Sequence, residues 1–173
     1  EDYCGFFGKM NKGTIKNLSI VDSYFGKSSC YYVGTFVGFG YGNIENCYSN
    51  ATTVGLYYCG GIAGETRGTV SNCLYNGKIK GTRNSNAIAS DKYNEGTITN
   101  CYYNENCGLS SSRAIAVTDD QLSSGEVAYL LNGDQSDIKW YQNIDKGEKD
   151  NAPTLSSEHY RVYKGDNIYT NDL

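Results

Sequence analysis

One six-residue pattern recurs four times along the first two thirds of the chain. GTIKNL (13–18), GNIENC (42–47), GTVSNC (68–73) and GTITNC (96–101) all read Gly-polar-(Ile/Val)-x-Asn-(Leu/Cys), at spacings of 29, 26 and 28 residues. A near-constant period of this length marks a stacked architecture, in which each repeat buries its apolar face only against its neighbours. A second string follows each of the first three openings: TFVG (35–38), GIAG (61–64) and AIAS (87–90). The chain itself begins with GFFG (5–8), a closing string with no opening half before it. We therefore expect the sequence to start partway through a repeat, its first edge covered by an earlier coil of a longer parent.

Within the repeats, apolar residues come in short, glycine-bounded segments without helical period, as at Ile44, Cys47 and Tyr48 or Val70, Cys73 and Leu74. This pattern reads as strands. Units of 26 to 29 residues with two or three short strands stack at the inter-strand spacing of about 4.8 Å and share one core. The expected fold is an all-β parallel β-solenoid of about four coils. Glycine suits its corners because it takes positive φ and keeps its N–H for the next coil, and the chain has 21 Gly against a single Pro.

The composition changes near residue 109. Residues 1–112 hold all 7 Cys, 17 of the 21 Gly and a net charge of +1, whereas residues 113–173 hold no Cys, 4 Gly and a net charge of −5. We divide the chain into repeats at 1–108 and a C-terminal capping region at 109–173. In the latter, TDDQLSSGEVAYLLNG (118–133) suggests a short helix with Ser123 or Ser124 as N-cap, Val127, Leu130 and Leu131 as its apolar face and Gly133 as its stop.

Charge and residue counts exclude several functions. With 15 basic and 19 acidic residues, nothing draws the chain to nucleic acid or anionic lipid. No apolar run reaches membrane-spanning length, so no membrane insertion is expected. The single histidine, His159, rules out multi-histidine zinc sites, and no GxSxG turn exists to pair with it in a nucleophilic triad. CxxC is absent, which removes the usual spacing for a thiolate metal site. The solenoid acids Glu45, Glu65, Asp91 and Glu95 share no repeat position, and the adjacent Asp119 and Asp120 suit a helix start. We accordingly expect no enzyme, no metal and no cofactor.

Asn17, Asn46, Asn72 and Asn100 share one repeat position and are expected to form a ladder of side-chain amides from coil to coil. Leu18, Cys47, Cys73 and Cys101 take the next position, where leucine in register implies an inward apolar site with thiol as a small hydrophobe. A disulfide among Cys4, Cys30, Cys59 and Cys107 stays open, and seven cysteines leave at least one thiol unpaired. Abundant free thiol in an exported chain fits an anaerobic habitat. Among 17 Tyr, pairs occur at 31–32, 57–58 and 102–103, while Tyr48, Tyr75 and Tyr102 fall beside the Asn-Cys position. With strands alternating in and out, one member of each pair is expected to face solvent in rows that suit sugar or protein, and Tyr48, Tyr75 and Tyr102 are the candidate contacts. The alternative is tyrosine merely covering a β surface.

The openings together with the FVG, IAG and FFG closings resemble GLUG-motif repeats over roughly residues 3 to 107. Such repeats occur in large bacterial surface proteins, including adhesin-like proteins and the non-catalytic region of immunoglobulin-A-cleaving metallopeptidases. GEVAYLLNG, WYQNI, PTL and RVYK are similar to a C-terminal unit that closes such arrays in gut bacteria. The departures are closings without Leu and an AIAS without the final Gly. The resemblance implies a right-handed β-helix, a secreted or cell-surface location and no catalytic residue to carry over. The functional expectation is a non-enzymatic surface module that binds host or dietary glycan, matrix protein or neighbouring domains. Its alternatives are an accessory part of a polysaccharide-active enzyme or peptidase, and a structural spacer.

Overall fold

The computed structural model describes residues 2–90 and 95–172, and its contacts divide the chain into two compact units, 1–116 and 117–173. The first is the parallel β-solenoid expected from the repeats. On the face that carries the Asn position, four repeat rungs enclose three turns: Thr14–Ile20, Asn43–Ser49, Thr69–Ser71 with Leu74–Tyr75, and Thr97–Thr99 with Tyr102–Asn104, beside which the strand Ile115–Val117 pairs. Ile15, Ile44, Val70 and Ile98 stack in register, one per rung, and all four are buried. The register offsets match the sequence spacings because the opening string is itself the strand.

Two further stacks complete most of each turn. Tyr24–Gly26, Thr52–Val54 and Lys78–Lys80 pair in parallel, as do Lys9–Met10, Val37–Gly40, Ala63–Thr66 and Ala89–Ser90. A fourth, shorter segment pairs Tyr3–Cys4 with Tyr32–Val33 and continues as bridges from Val33 to Cys59 and from Gly60 to Asn86. The closing string makes the sharp return between this segment and the Val37–Gly40 stack. A Cβ at Gly64 would stand 2.4 Å from the Gly38 carbonyl oxygen and 2.6 Å from the Val33 nitrogen, so only glycine fits. In the last coil that position is serine, and the ladder slips there: Ala89 still pairs with Ala63, but Ser90 pairs with Glu65, past Gly64.

The segment after Cys107 stays with the coils rather than with the tail. Ile115 donates its N–H to the Cys101 carbonyl, Ala87 donates to Ser110, and the Arg113 guanidinium reaches the Gly96 carbonyl at 2.8 Å. The division therefore falls eight residues later than the composition change suggests. The second unit has two short helices where one is expected. Helix α1 (Asp119–Ser123) begins with a capping box between Thr118 and Gln121, and helix α2 (Glu126–Asn132) begins at Gly125 with φ 90° and stops at Gly133. Gly125 breaks the run because its left-handed conformation turns the chain between the helices. Neither serine is the N-cap, although Ser124 Oγ accepts the Glu126 N–H at 3.3 Å. Val117, Leu122, Val127, Ala128, Leu131, Trp140 and Val162 form the buried apolar set of this unit.

Candidate functional site

The Asn position is a bend in every rung. Asn17, Asn46, Asn72 and Asn100 all have positive φ, between 47° and 54°, a conformation that asparagine tolerates better than other non-glycine residues. The expected coil-to-coil amide bond is present where Asn100 Nδ2 donates to Asn72 Oδ1 at 2.8 Å, and Asn46 is buried while Asn17 is exposed. The following cysteine turns back to the carbonyl just before the bend. Cys47, Cys73 and Cys101 point their thiols at the carbonyls of Glu45, Ser71 and Thr99, at 3.1 to 3.3 Å. Each also lies 3.5 to 3.8 Å from a carbonyl of the preceding coil. The thiol is thus a donor as well as a small apolar group, a role Leu18 in the first rung cannot take. Burial, with Cys101 and Cys47 on either side, pushes the Cys73 thiol far up, whereas the bond from Cys73 lowers Cys47.

A second polar ladder lies four residues after Asn46, Asn72 and Asn100 and five after Asn17, at Asp22. Asn104 Nδ2 donates to Asn76 Oδ1 at 2.8 Å, and Asn50 Nδ2 donates to Asp22 Oδ1 at 3.2 Å while Asn50 Oδ1 accepts the Asp22 N–H. Its signal is N-C-x-x-N, present at 46–50, 72–76 and 100–104 and missed in reading the repeat.

The row Tyr48, Tyr75 and Tyr102 is not a solvent-facing row. Leu74 pairs with Tyr48 and Tyr102, while Tyr75 pairs with Ser49 and Tyr103. Tyr75 is one residue out of phase, and in a strand that shift reverses the side chain. It is fully buried, its hydroxyl 2.7 Å from the Ala51 carbonyl and 2.9 Å from that of Lys78, in space that Gly61 leaves open; burial raises its hydroxyl well above the ordinary range. Tyr102 is also buried, bonded to Asn100 Oδ1 at 2.9 Å, and Tyr48 is half-buried.

The aromatic face lies elsewhere, on the short fourth segment. Tyr3, Tyr32 and Tyr58 stack one per coil, with ring centroids 5.1 and 4.7 Å apart. Beside them Tyr31 stacks on Tyr57 at 5.0 Å, and the next coil supplies Arg83, whose guanidinium lies over the Tyr57 ring and bonds its hydroxyl at 3.1 Å. Phe39 and Tyr41 extend the patch, with Lys9 over Tyr3 and Phe39 and with Arg67 over Phe39 and Tyr41. Tyr31 and Tyr41 are 44% and 47% exposed, so the patch reaches solvent. Stacking occupies the ring faces along each column, leaving a rigid surface of ring edges, hydroxyls and cations. Such a surface contacts a partner at little entropic cost.

Two of the solenoid acids, scattered in sequence, meet at one cation: Arg67 Nε lies 3.0 Å from Glu95 and 3.6 Å from the buried Glu65. Glu45 lies in the Asn-face stack, and Asp91 lies outside the described residues. Among the described residues no cluster of three or more His, Cys, Asp or Glu has metal-binding geometry, and no helix is long and apolar enough to cross a membrane. No protein-family model, curated protein or solved structure matches the chain.

Proposed function

We propose that this chain is a non-enzymatic recognition module of a larger bacterial surface protein, with GLUG-type repeats, whose tyrosine face binds a glycan or matrix protein outside the cell. The two stacked tyrosine columns carry this reading. They put rigid amphipathic rings and hydroxyls on one face at the coil repeat, beside the cations Lys9, Arg67 and Arg83. Hydroxyl-rich sugars and polar protein surfaces meet such a face through hydrogen bonds with apolar contact between them. The Glu65–Arg67–Glu95 cluster favours this over hydrolysis, because both carboxylates bind one guanidinium instead of facing each other across a cleft.

The test is an array of host and dietary glycans together with matrix proteins, probed with the chain and with a Tyr31→Ser/Tyr57→Ser variant. Saturable binding lost in the variant and kept in Tyr48→Ser supports the reading. Binding unaffected by Tyr31→Ser/Tyr57→Ser overturns the assigned face, and absence of binding across the array favours a structural spacer.

A further inference from the structure

The seven cysteines are all thiols, yet they fall into different environments. Cys47, Cys73 and Cys101 are buried, with Cys73 between the other two thiols and all three directed at carbonyls, and Cys107 is likewise turned to the Leu109 carbonyl at 3.1 Å. Cys4 and Cys30 differ: their sulfurs are each other's partner, 3.2 Å apart, on neighbouring coils. Cys4 is half-buried and therefore the more accessible of the two, whereas Cys30 is 3% exposed at the end of a turn closed by its N–H to the Lys27 carbonyl. A disulfide needs the sulfurs at about 2.05 Å, so a side-chain movement of roughly 1 Å is enough.

We infer that Cys4 and Cys30 form a specific oxidation site, a cross-link that ties the first coil to the second. The oxidant class is a disulfide, such as oxidised glutathione. The Cys4 thiolate attacks one of its sulfurs, forming a mixed disulfide and expelling one thiolate. The Cys30 thiolate then attacks Cys4 Sγ, breaking that mixed bond and expelling the second thiolate. Two electrons pass to the oxidant, and the two thiol protons end on the expelled thiolates.

Tyr3–Cys4 and Lys9–Met10 are two-residue strands, and among the described residues each pairs with one neighbour only. Cys4 follows Tyr3 and Cys30 precedes Tyr31 and Tyr32, so the link fixes the first two rings of the Tyr3–Tyr32–Tyr58 column. Burial and the neighbouring Cys30 hold the Cys4 thiol up at about 11, which makes exchange slow in the folded chain and the link durable once closed. The inference does not depend on ligand binding.

The experiment treats the full chain with oxidised glutathione at mildly alkaline pH, alongside Cys4→Ala and Cys30→Ala. Expected for the wild type are a loss of about 2 Da, two fewer alkylatable thiols, slower amide exchange over residues 2–10 and a melting shift of about +5 to +10 °C. Neither variant should show the 2 Da loss. Chymotryptic mapping of the oxidised wild type, which separates Cys30 from Cys47, should recover Cys4 joined to Cys30, and it decides the matter even if a variant fails to fold. Seven alkylatable thiols after treatment, or a cross-link between any other pair, overturns the inference.

Discussion

The solenoid and the C-terminal unit satisfy the same requirement, a partner for every buried backbone group, by opposite means. In the coils, most backbone N–H and C=O groups of the strands bond to the coil before or after, and side-chain amides add two ladders beside them. Among the described residues the tail has two short helices, one antiparallel strand pair, Tyr163–Lys164 with Tyr169–Thr170, and an antiparallel bridge between Tyr141 and Thr154. There, single buried amides act as clamps. Asn132 Oδ1 accepts the N–H groups of Lys139 and Trp140 while its Nδ2 donates to the Trp140 carbonyl. Asn171 accepts from Ile144 and Asp145 and donates to the carbonyls of Gln142 and Arg161. A repeated fold spreads its polar satisfaction over many equivalent bonds; an irregular one concentrates it in a few side chains.

The sharpest way to break this contrast is Asn171→Ala, which orphans several buried backbone groups at once. We expect about 4 kcal/mol lost from the tail. Trp140, the single tryptophan and fully buried, reports that loss by fluorescence, and a change no larger than that of a solenoid amide variant would erase the distinction. Next comes Gly64→Ala, which drives a Cβ into backbone and should cost about 3 kcal/mol in chemical denaturation followed by far-ultraviolet dichroism. Near-neutrality there would mean the coils can slip at every closing string as they do at Ser90.

Asn72 separates the bend from the ladder. Asn72→Ala loses both the tolerance of φ 52° and the acceptor for Asn100, for about 2 kcal/mol, whereas Asn72→Gly keeps the bend and should cost about 1 kcal/mol. Equal costs would leave the amide bond without energetic weight. At Cys73, Ala removes the thiol donor and should cost about 1 kcal/mol, while Leu, fitting the apolar reading alone, adds bulk to a filled site. If Leu proves the more stable of the two, the thiol's bonds do not matter.

The smallest effect concerns acid. The Thr170 hydroxyl and the Asn171 N–H hold the Asp145 carboxyl below the ordinary carboxylate range. A folded-state value below the unfolded one gives stability that is complete above about pH 4 and is lost as the pH falls through the depressed folded value. Asp145→Asn should therefore flatten the acid limb of the tail's unfolding curve, followed at Trp140. An unchanged limb would remove Asp145 from the tail's polar framework.

Much of this molecule was legible in its sequence, unevenly. The period, the parallel stacking and the Asn bend follow from GTIKNL, GNIENC, GTVSNC and GTITNC, because a solenoid places equal residues in equal environments and so writes its geometry into the repeat. The second ladder was equally readable in N-C-x-x-N. The stacked-tyrosine face was legible only in part, as the pairs at 31–32 and 57–58. Tyr48, Tyr75 and Tyr102 look equivalent beside Asn-Cys, but Leu74 holds the place that Tyr48 and Tyr102 hold, and the pleat sends Tyr75 inward. Tyr3, Tyr31, Tyr32, Tyr57 and Tyr58 gather because Tyr-Tyr-x-Gly recurs one coil apart at 31–34 and 57–60, and the fold stacks those rings on one another and on Tyr3.

The sequence by itself determined which residues recur and therefore which could stack. Only the tertiary structure decided which tyrosines meet solvent, that the Cys4 and Cys30 thiols meet across two coils, and that Glu65 and Glu95 share Arg67. Recurrence is a property of position along the chain, whereas exposure and contact depend on where each coil's bends and returns carry the chain. One residue more or less before a bend is enough to exchange inside for outside.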